Sequence, residues 1–121
     1  MSRISKPISS RRSVPSDQFV VILTTFPVDR DVEPFARTLV EERLAACVNV
    51  LPAMTSIYSW KGSIEKSDEH QIVIKTSSSR VRDLETRLKA LHPYEVPEFV
   101  VIPIVEGSHD YLAWVAENTK S

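Results

Sequence analysis

The chain has 121 residues, 42% hydrophobic and 26% charged, with a formal net charge of −1, which is the composition of one soluble globular domain. Its two glycines, Gly62 and Gly107, exclude a G-x-G-x-x-G dinucleotide loop, and neither is followed by the Lys-Ser/Thr of a Walker loop. A single cysteine, Cys47, excludes an internal disulfide and a Cys-rich structural zinc site, and no apolar run approaches the ~20 residues of a membrane span.

Residues 1–17 hold Arg3, Lys6, Arg11 and Arg12 against Asp17, with six serines and two prolines. Too little apolar surface is present to repay chain ordering, so a disordered basic N-terminal segment is expected. An Arg/Ser-rich, acid-poor end also fits an organelle transit peptide. A single domain is expected over 18–121. Its mildly acidic balance argues against a phosphate-backbone partner, so no nucleic acid is expected. The lone thiol suits a reducing compartment, and the cytoplasm is the expected location.

Phe19 to Thr25 is rich in β-branched residues and ends at Phe26-Pro27, the pattern of a buried strand. From Asp29 to Ala46 the period changes. Val32, Phe35, Ala36, Leu39, Val40 and Leu44 recur every three or four residues, which predicts an amphipathic helix. Asp31 is its expected cap, and Pro34 sits in the first turn, where a missing N–H costs little. Cys47 to Trp60 reads as a long strand, with Pro52 at an edge or bulge. Lys61-Gly62 marks a tight turn, and Ser63 to Thr76 returns. Ser77 to Ser79 offer caps for a second helix, whose face is Val81, Leu84, Leu88 and Leu91 and which Pro93 ends. Phe99 to Ile102 with Ile104-Val105 predicts a fourth strand with Pro103 at an edge or bulge, and Ser108 caps a last helix.

The order is β-α-β-β-α-β plus a C-terminal helix: an α+β chain of two split βαβ units, the ferredoxin-like arrangement. Both long helices would lie on one face of an antiparallel sheet, leaving the other face wet or covered by something else. The hairpin between the second and third strands is too long for the domain. Two strands of ~13 residues at ~3.3 Å per residue span roughly 40 Å, against a radius of gyration of ~14 Å for a domain of this size. Its tip carries Tyr58 and Trp60, costly to leave wet in a lone ribbon. The arm is therefore expected to pack on another subunit. The alternative is a strand pair broken at Pro52 and folded back.

Three residue types can carry chemistry. Cys47 follows Leu44-Ala45-Ala46 and begins a buried strand, so it reads either as a core hydrophobe or as a nucleophile or ligand. His70 and His109 read as surface residues. His92-Pro93-Tyr94-Glu95-Val96-Pro97-Glu98 puts an imidazole, a phenol and two carboxylates into a loop stiffened by two prolines. That mixture suits a borderline divalent ion such as copper or zinc. Equally, His92 can end the second helix, and Glu95 and Glu98 can pair with basic side chains. There is no H-E-x-x-H and no G-x-S-x-G. RNA-recognition domains share this topology, but their central strands display stacking aromatics, and His70 to Lys75 offers none.

Several segments together resemble one family, the CutA divalent-cation tolerance proteins. They are Thr24-Thr25-Phe26-Pro27, Leu39 to Asn49 with its Ala45-Ala46-Cys47, Ser56-Ile57-Tyr58-Ser59-Trp60-Lys61-Gly62, Lys75-Thr76, His92 to Glu98, and Tyr111-Leu112-Ala113-Trp114. They cover about Val20 to Trp114. The resemblance implies a non-enzymatic homotrimer with long hairpins between subunits, and binding of copper or another divalent cation. His92 and Cys47 are the implied ligands. The metal pattern of some bacterial members has a cysteine where this chain has Thr24, and paired histidines where it has Leu91-His92. CutA trimers are similar in turn to PII-type signalling trimers, which bind small effectors between subunits. Tyr58, Trp60, Lys75, Tyr94, Glu95 and Glu98 are the candidates for such a cleft. A protein-anchoring scaffold is the third role that the resemblance implies.

Overall fold

The computed structural model describes residues 18–121 and the backbone of residues 11–13. The expected disordered leader falls mainly on residues outside that set. Arg11–Ser13 forms a short strand, β1, antiparallel to β6 (Glu106–Ser108). The main sheet has four antiparallel strands in the order β3-β4-β2-β5: β2 is Phe19–Pro27, β3 Cys47–Trp60, β4 Ser63–Ser77 and β5 Val100–Pro103. The two crossovers are α1 (Glu33–Glu41) and α2 (Val81–Leu91), the latter entered through a 3₁₀ turn at Ser78–Arg80, and α3 (His109–Glu117) closes the chain. This is the ferredoxin-like fold.

Strand alternation sorts the residues. In β2 and β4, Val20, Ile22, Ile72 and Ile74 point to one face and meet Phe35 and Leu39 of α1 and Leu84 and Leu88 of α2. All eight are buried. Val21, Leu23 and Val73 point to the other face and are half-buried, and Val100 and Ile102 in β5 are exposed. A smaller cluster of Phe19, Ala46, Leu112 and Val115 seats α3. Ser108 caps α3 as expected, its Oγ accepting from the Tyr111 N–H at 3.1 Å. Gly107 lacks a Cβ where one would lie 3.0 Å from a Leu112 methyl.

Two expectations at helix ends are corrected. The first helix was expected over Asp29 to Ala46 but spans Glu33–Glu41. Arg43 adopts a left-handed φ of 61°, and the Leu44 and Ala45 amides both donate to the Leu39 carbonyl. This closure turns Leu44-Ala45-Ala46 out of the helix and into a buried lead to β3. The Arg43 guanidinium donates to the Glu117 and Lys120 carbonyls at the end of α3, so one side chain ties both helix ends together. At the other end, Asp31 Oδ1 accepts from the Glu33 N–H at 3.1 Å, although Val32 holds the cap position. The serines before α2 give no side-chain cap. Ser77 Oγ meets Thr119 Oγ1 instead.

The long hairpin is one continuous pairing from Cys47↔Lys75 to Trp60↔Ser63, interrupted by a bulge between Val50 and Ala53. Pro52 lies in that bulge, where its missing N–H breaks no ladder bond. His70, expected as a solvated side chain, is half-buried and holds the bulge, its Nδ1 2.8 Å from the Leu51 carbonyl. The turn has φ of 50° at Lys61 and 84° at Gly62. Two successive positive values are the mark of a type I′ turn, whose twist matches that of the strands.

Candidate functional site

The lower end of β2, the end of α2 and the inner part of the arm converge on His92. The Phe19 carbonyl accepts from the Ile104 N–H, so carbonyls of odd-numbered residues in β2 face β5. Pairing with β5 stops at Leu23↔Val100, which leaves the Thr25 carbonyl beyond the end of that strand. A buried carbonyl needs a donor. His92 supplies it, with Nε2 2.6 Å from the Thr25 oxygen, while Nδ1 accepts from the Tyr94 N–H at 3.0 Å. Those two bonds fix a neutral ring with its proton on Nε2. The ring packs edge-on against Phe26 and Phe35, with centroids 5.3 and 6.0 Å away. Burial lowers the His92 pKa, partly opposed by the Thr25 carbonyl and the Glu69 carboxylate.

Glu69 is the second fixed point. It is buried, and its Oε2 accepts from the Tyr94 hydroxyl at 2.7 Å and from Thr25 Oγ1 at 3.2 Å. Burial, and then the Glu69 acceptor, push the Tyr94 phenol well above its ordinary pKa. Thr25, Glu69, His92 and Tyr94 thus form one connected polar network across a strand end, which holds the 92–98 loop.

The arm curls toward that loop. Tyr58, Trp60, Tyr94 and Glu95, with Pro93 and Val96, line a cleft of about 310 Å³. Four of the six expected cleft residues therefore meet within a single chain. Lys75 does not join them. It pairs with Cys47 in register and donates to Asn49 Oδ1, at the opposite end of the sheet. Glu98 accepts from the Gln71 amide instead of facing the cleft. Glu95 pairs with Lys61 at 3.8 Å, the alternative role foreseen for that carboxylate.

Within one chain the two candidate ligands, His92 and Cys47, are not brought together. Both ring nitrogens of His92 are engaged, so no lone pair is left for a metal. Cys47 lies beside Lys75, which pairs with Val21, four residues along β2 from Thr25. That is about 13 Å along the strands and about 10 Å across them. Thr24 is fully buried, and its Oγ1 has no hydrogen-bond partner. Among the described residues no three His, Cys, Asp or Glu side chains cluster as a metal site would require. One chain by itself does not fit a resident ion.

Sequence reasoning missed Glu69 and Thr25. A fixed phenol implies an acceptor, but the segment Glu65-Lys66-Ser67-Asp68-Glu69 offers three carboxylates. The strand register alone selects the one that turns inward.

Residues 20–118 match the family model described as "CutA1 divalent ion tolerance protein". The chain is 48% identical over 99 residues to the divalent-cation tolerance protein CutA of Thermus thermophilus, covering 82% of this chain and 96% of that one. It is 46% identical over 97 residues to the human protein CutA, covering 80% of this chain and 54% of the human one, so it spans about half of that relative. The solved Thermus thermophilus cation tolerance protein superimposes with a TM-score of 0.80 at 47% identity, over 84% of this chain and 99% of that chain. Among the described residues no helix is long and apolar enough to cross a membrane.

Proposed function

Because the chain belongs to the CutA1 family of divalent-ion tolerance proteins, we propose that it acts as a non-enzymatic homotrimer in cation tolerance, located in the cytoplasm. In this reading it binds copper or another divalent ion weakly, at positions completed by neighbouring subunits. The observation that carries the assembly is the arm. Ile57 is 71% and Ile64 77% exposed. Ile57 pairs with Lys66 and Ile64 with Ser59, so the two isoleucines share the arm face opposite Tyr58 and Trp60. Covering both recovers about 2–4 kcal/mol per subunit at the usual worth of a buried aliphatic side chain. Val100 and Ile102, exposed on the opposite, open face of the sheet, add a second apolar surface for a neighbouring copy.

Cys47 is the donor this reading favours for a soft ion. It is half-buried on the open sheet face, where a neighbouring subunit can add further ligands, and thiolate suits copper. Light scattering after size exclusion tests the assembly: a mass of three 13.7 kDa chains is expected, and a monomer would overturn it. Ile57→Lys with Ile64→Lys is expected to shift that mass toward monomer. Calorimetry with Cu²⁺ tests the cation site. Cys47→Ser is expected to weaken binding at least fivefold, and equal affinities would remove Cys47 from the site.

One observation favours a second reading, a small-molecule sensor. The cleft of Tyr58, Trp60, Tyr94 and Glu95 has the volume and the mixed aromatic and polar lining of a small-ligand pocket. A thermal-shift screen separates the two. A shift with an organic ion and none with Cu²⁺ selects the sensor, and the converse selects cation tolerance.

A further inference from the structure

We propose that the cleft between the hairpin tip and the 93–96 loop is a site for a small organic ammonium ion, and that the Lys61 ammonium, which stands beside its Trp60 and Glu95 walls, competes with that ligand. The inference rests on the small-molecule reading of the cleft and assigns the charge of its ligand. Lys61 Nζ lies 5.4 Å from the centroid of the Trp60 ring and 3.8 Å from Glu95 Oε1. An ammonium over an indole face and beside a carboxylate is the arrangement by which aromatic sites recognise alkylated amines. The chain thus displays its own version of the complex.

Three further observations support the assignment. First, the pairing does little for the fold. The Lys61 and Glu95 side chains are 70% and 72% exposed, and ion pairs that wet contribute little. Second, Lys61 holds a left-handed φ of 50°. Asn or Asp is the favoured residue at that position of a type I′ turn, so a lysine accepts backbone strain there and carries its charge to the cleft mouth. Third, the walls are fixed, and one of them carries a carboxylate. The Tyr58 hydroxyl lies 2.7 Å from Ser67 Oγ and the Tyr94 hydroxyl 2.7 Å from Glu69 Oε2. Both rings are thereby tethered to β4. Glu65 stands opposite Tyr58 in the register, with Glu95 in the lining. Aromatic faces with carboxylates repel an anion and favour a cation.

The test is a titration of the ¹⁵N-labelled full chain with tetramethylammonium chloride at constant ionic strength, following the Trp60 indole N–H resonance. tert-Butanol serves as the neutral control of similar shape, and glutarate as the organic anion. Saturable shifts in the millimolar range are expected with tetramethylammonium and not with tert-butanol. Lys61→Asn, which tolerates the left-handed backbone, is expected to tighten binding about two- to fivefold by removing the internal competitor, and Glu95→Gln to weaken it by a similar factor. Both substitutions are at exposed side chains, and an unchanged ¹⁵N spectrum elsewhere confirms the fold. Equal response to tert-butanol, or indifference to both substitutions, overturns the proposal. Binding of glutarate without tetramethylammonium overturns the charge assignment while leaving the sensor reading intact. No response to any of the three overturns both.

Discussion

Replacing His92 separates a structural role from a metal-binding one. In His92→Ala the Thr25 carbonyl loses the donor that stands in for the missing end of β5, and an unsatisfied buried carbonyl costs about 1–3 kcal/mol. Edge contacts with Phe26 and Phe35 are lost as well, at about 0.5–1.5 kcal/mol for such a pair beyond its buried area. The total is about 3 kcal/mol, equivalent to a fall in Tm of about 10–15 °C for a domain of this size. His92→Gln, which can still present an N–H near the Thr25 oxygen, is expected to lose about half as much. The acid dependence follows from the lowered pKa of His92. The folded state resists protonation of this ring, whereas the unfolded chain titrates near ~6.5. Its contribution is therefore complete above that value and lost as the pH falls through the folded pKa. The stability advantage of wild type over His92→Gln is expected to shrink below pH ~6.5. Thermal melts over pH 5–8 and Cu²⁺ calorimetry at neutral pH are the assays. An unchanged Tm in His92→Ala, together with a tenfold or greater loss of Cu²⁺ affinity, would refute the structural account and return His92 to the metal.

Two further substitutions probe the same strand end. Thr24→Val removes a buried hydroxyl without a hydrogen-bond partner at nearly constant volume, so it is expected to raise stability by about 1 kcal/mol, measured as a higher Tm. A lower Tm would mean that the hydroxyl has a partner after all. Tyr94→Phe leaves the buried Glu69 carboxylate with one hydroxyl donor instead of two. A loss of about 1–3 kcal/mol is expected, and the double variant Tyr94→Phe, Glu69→Gln should recover part of it. Additive losses in that cycle by urea denaturation would show that the two side chains are not coupled.

Much of the fold was legible because its signals are periodic. The β-branched run of Phe19 to Thr25 and the 3.6-residue spacing of Val81, Leu84, Leu88 and Leu91 reflect burial, and the ladder and core agree with them. The arm was legible from length, a Lys-Gly turn and one proline. Helix α1 was not legible at its end, because Arg43 takes the left-handed conformation that a sequence ordinarily announces with glycine or asparagine. What holds it there is a pair of carbonyls more than 70 residues away, a contact invisible to any local pattern.

The His-Pro-Tyr-Glu segment shows the same limit in its chemistry. Read locally, an imidazole and carboxylates in a stiff loop look like donors gathered for an ion. What decides the matter is where each lone pair goes, and that depends on strand ends 67 residues upstream. β5 stops short of Thr25, so the imidazole completes the sheet. Glu69 receives the phenol, so the phenol anchors the loop. With both groups engaged in holding the corner, the side chains left to meet a ligand are those that the corner presents: the aromatic faces of the arm and the exposed Glu95. Stiffness in this loop therefore serves recognition indirectly, by fixing the wall against which the hairpin tip closes. Within one chain the corner thus presents a π face and a carboxylate together, whereas the Cys47 thiol stands apart from them on the open sheet face.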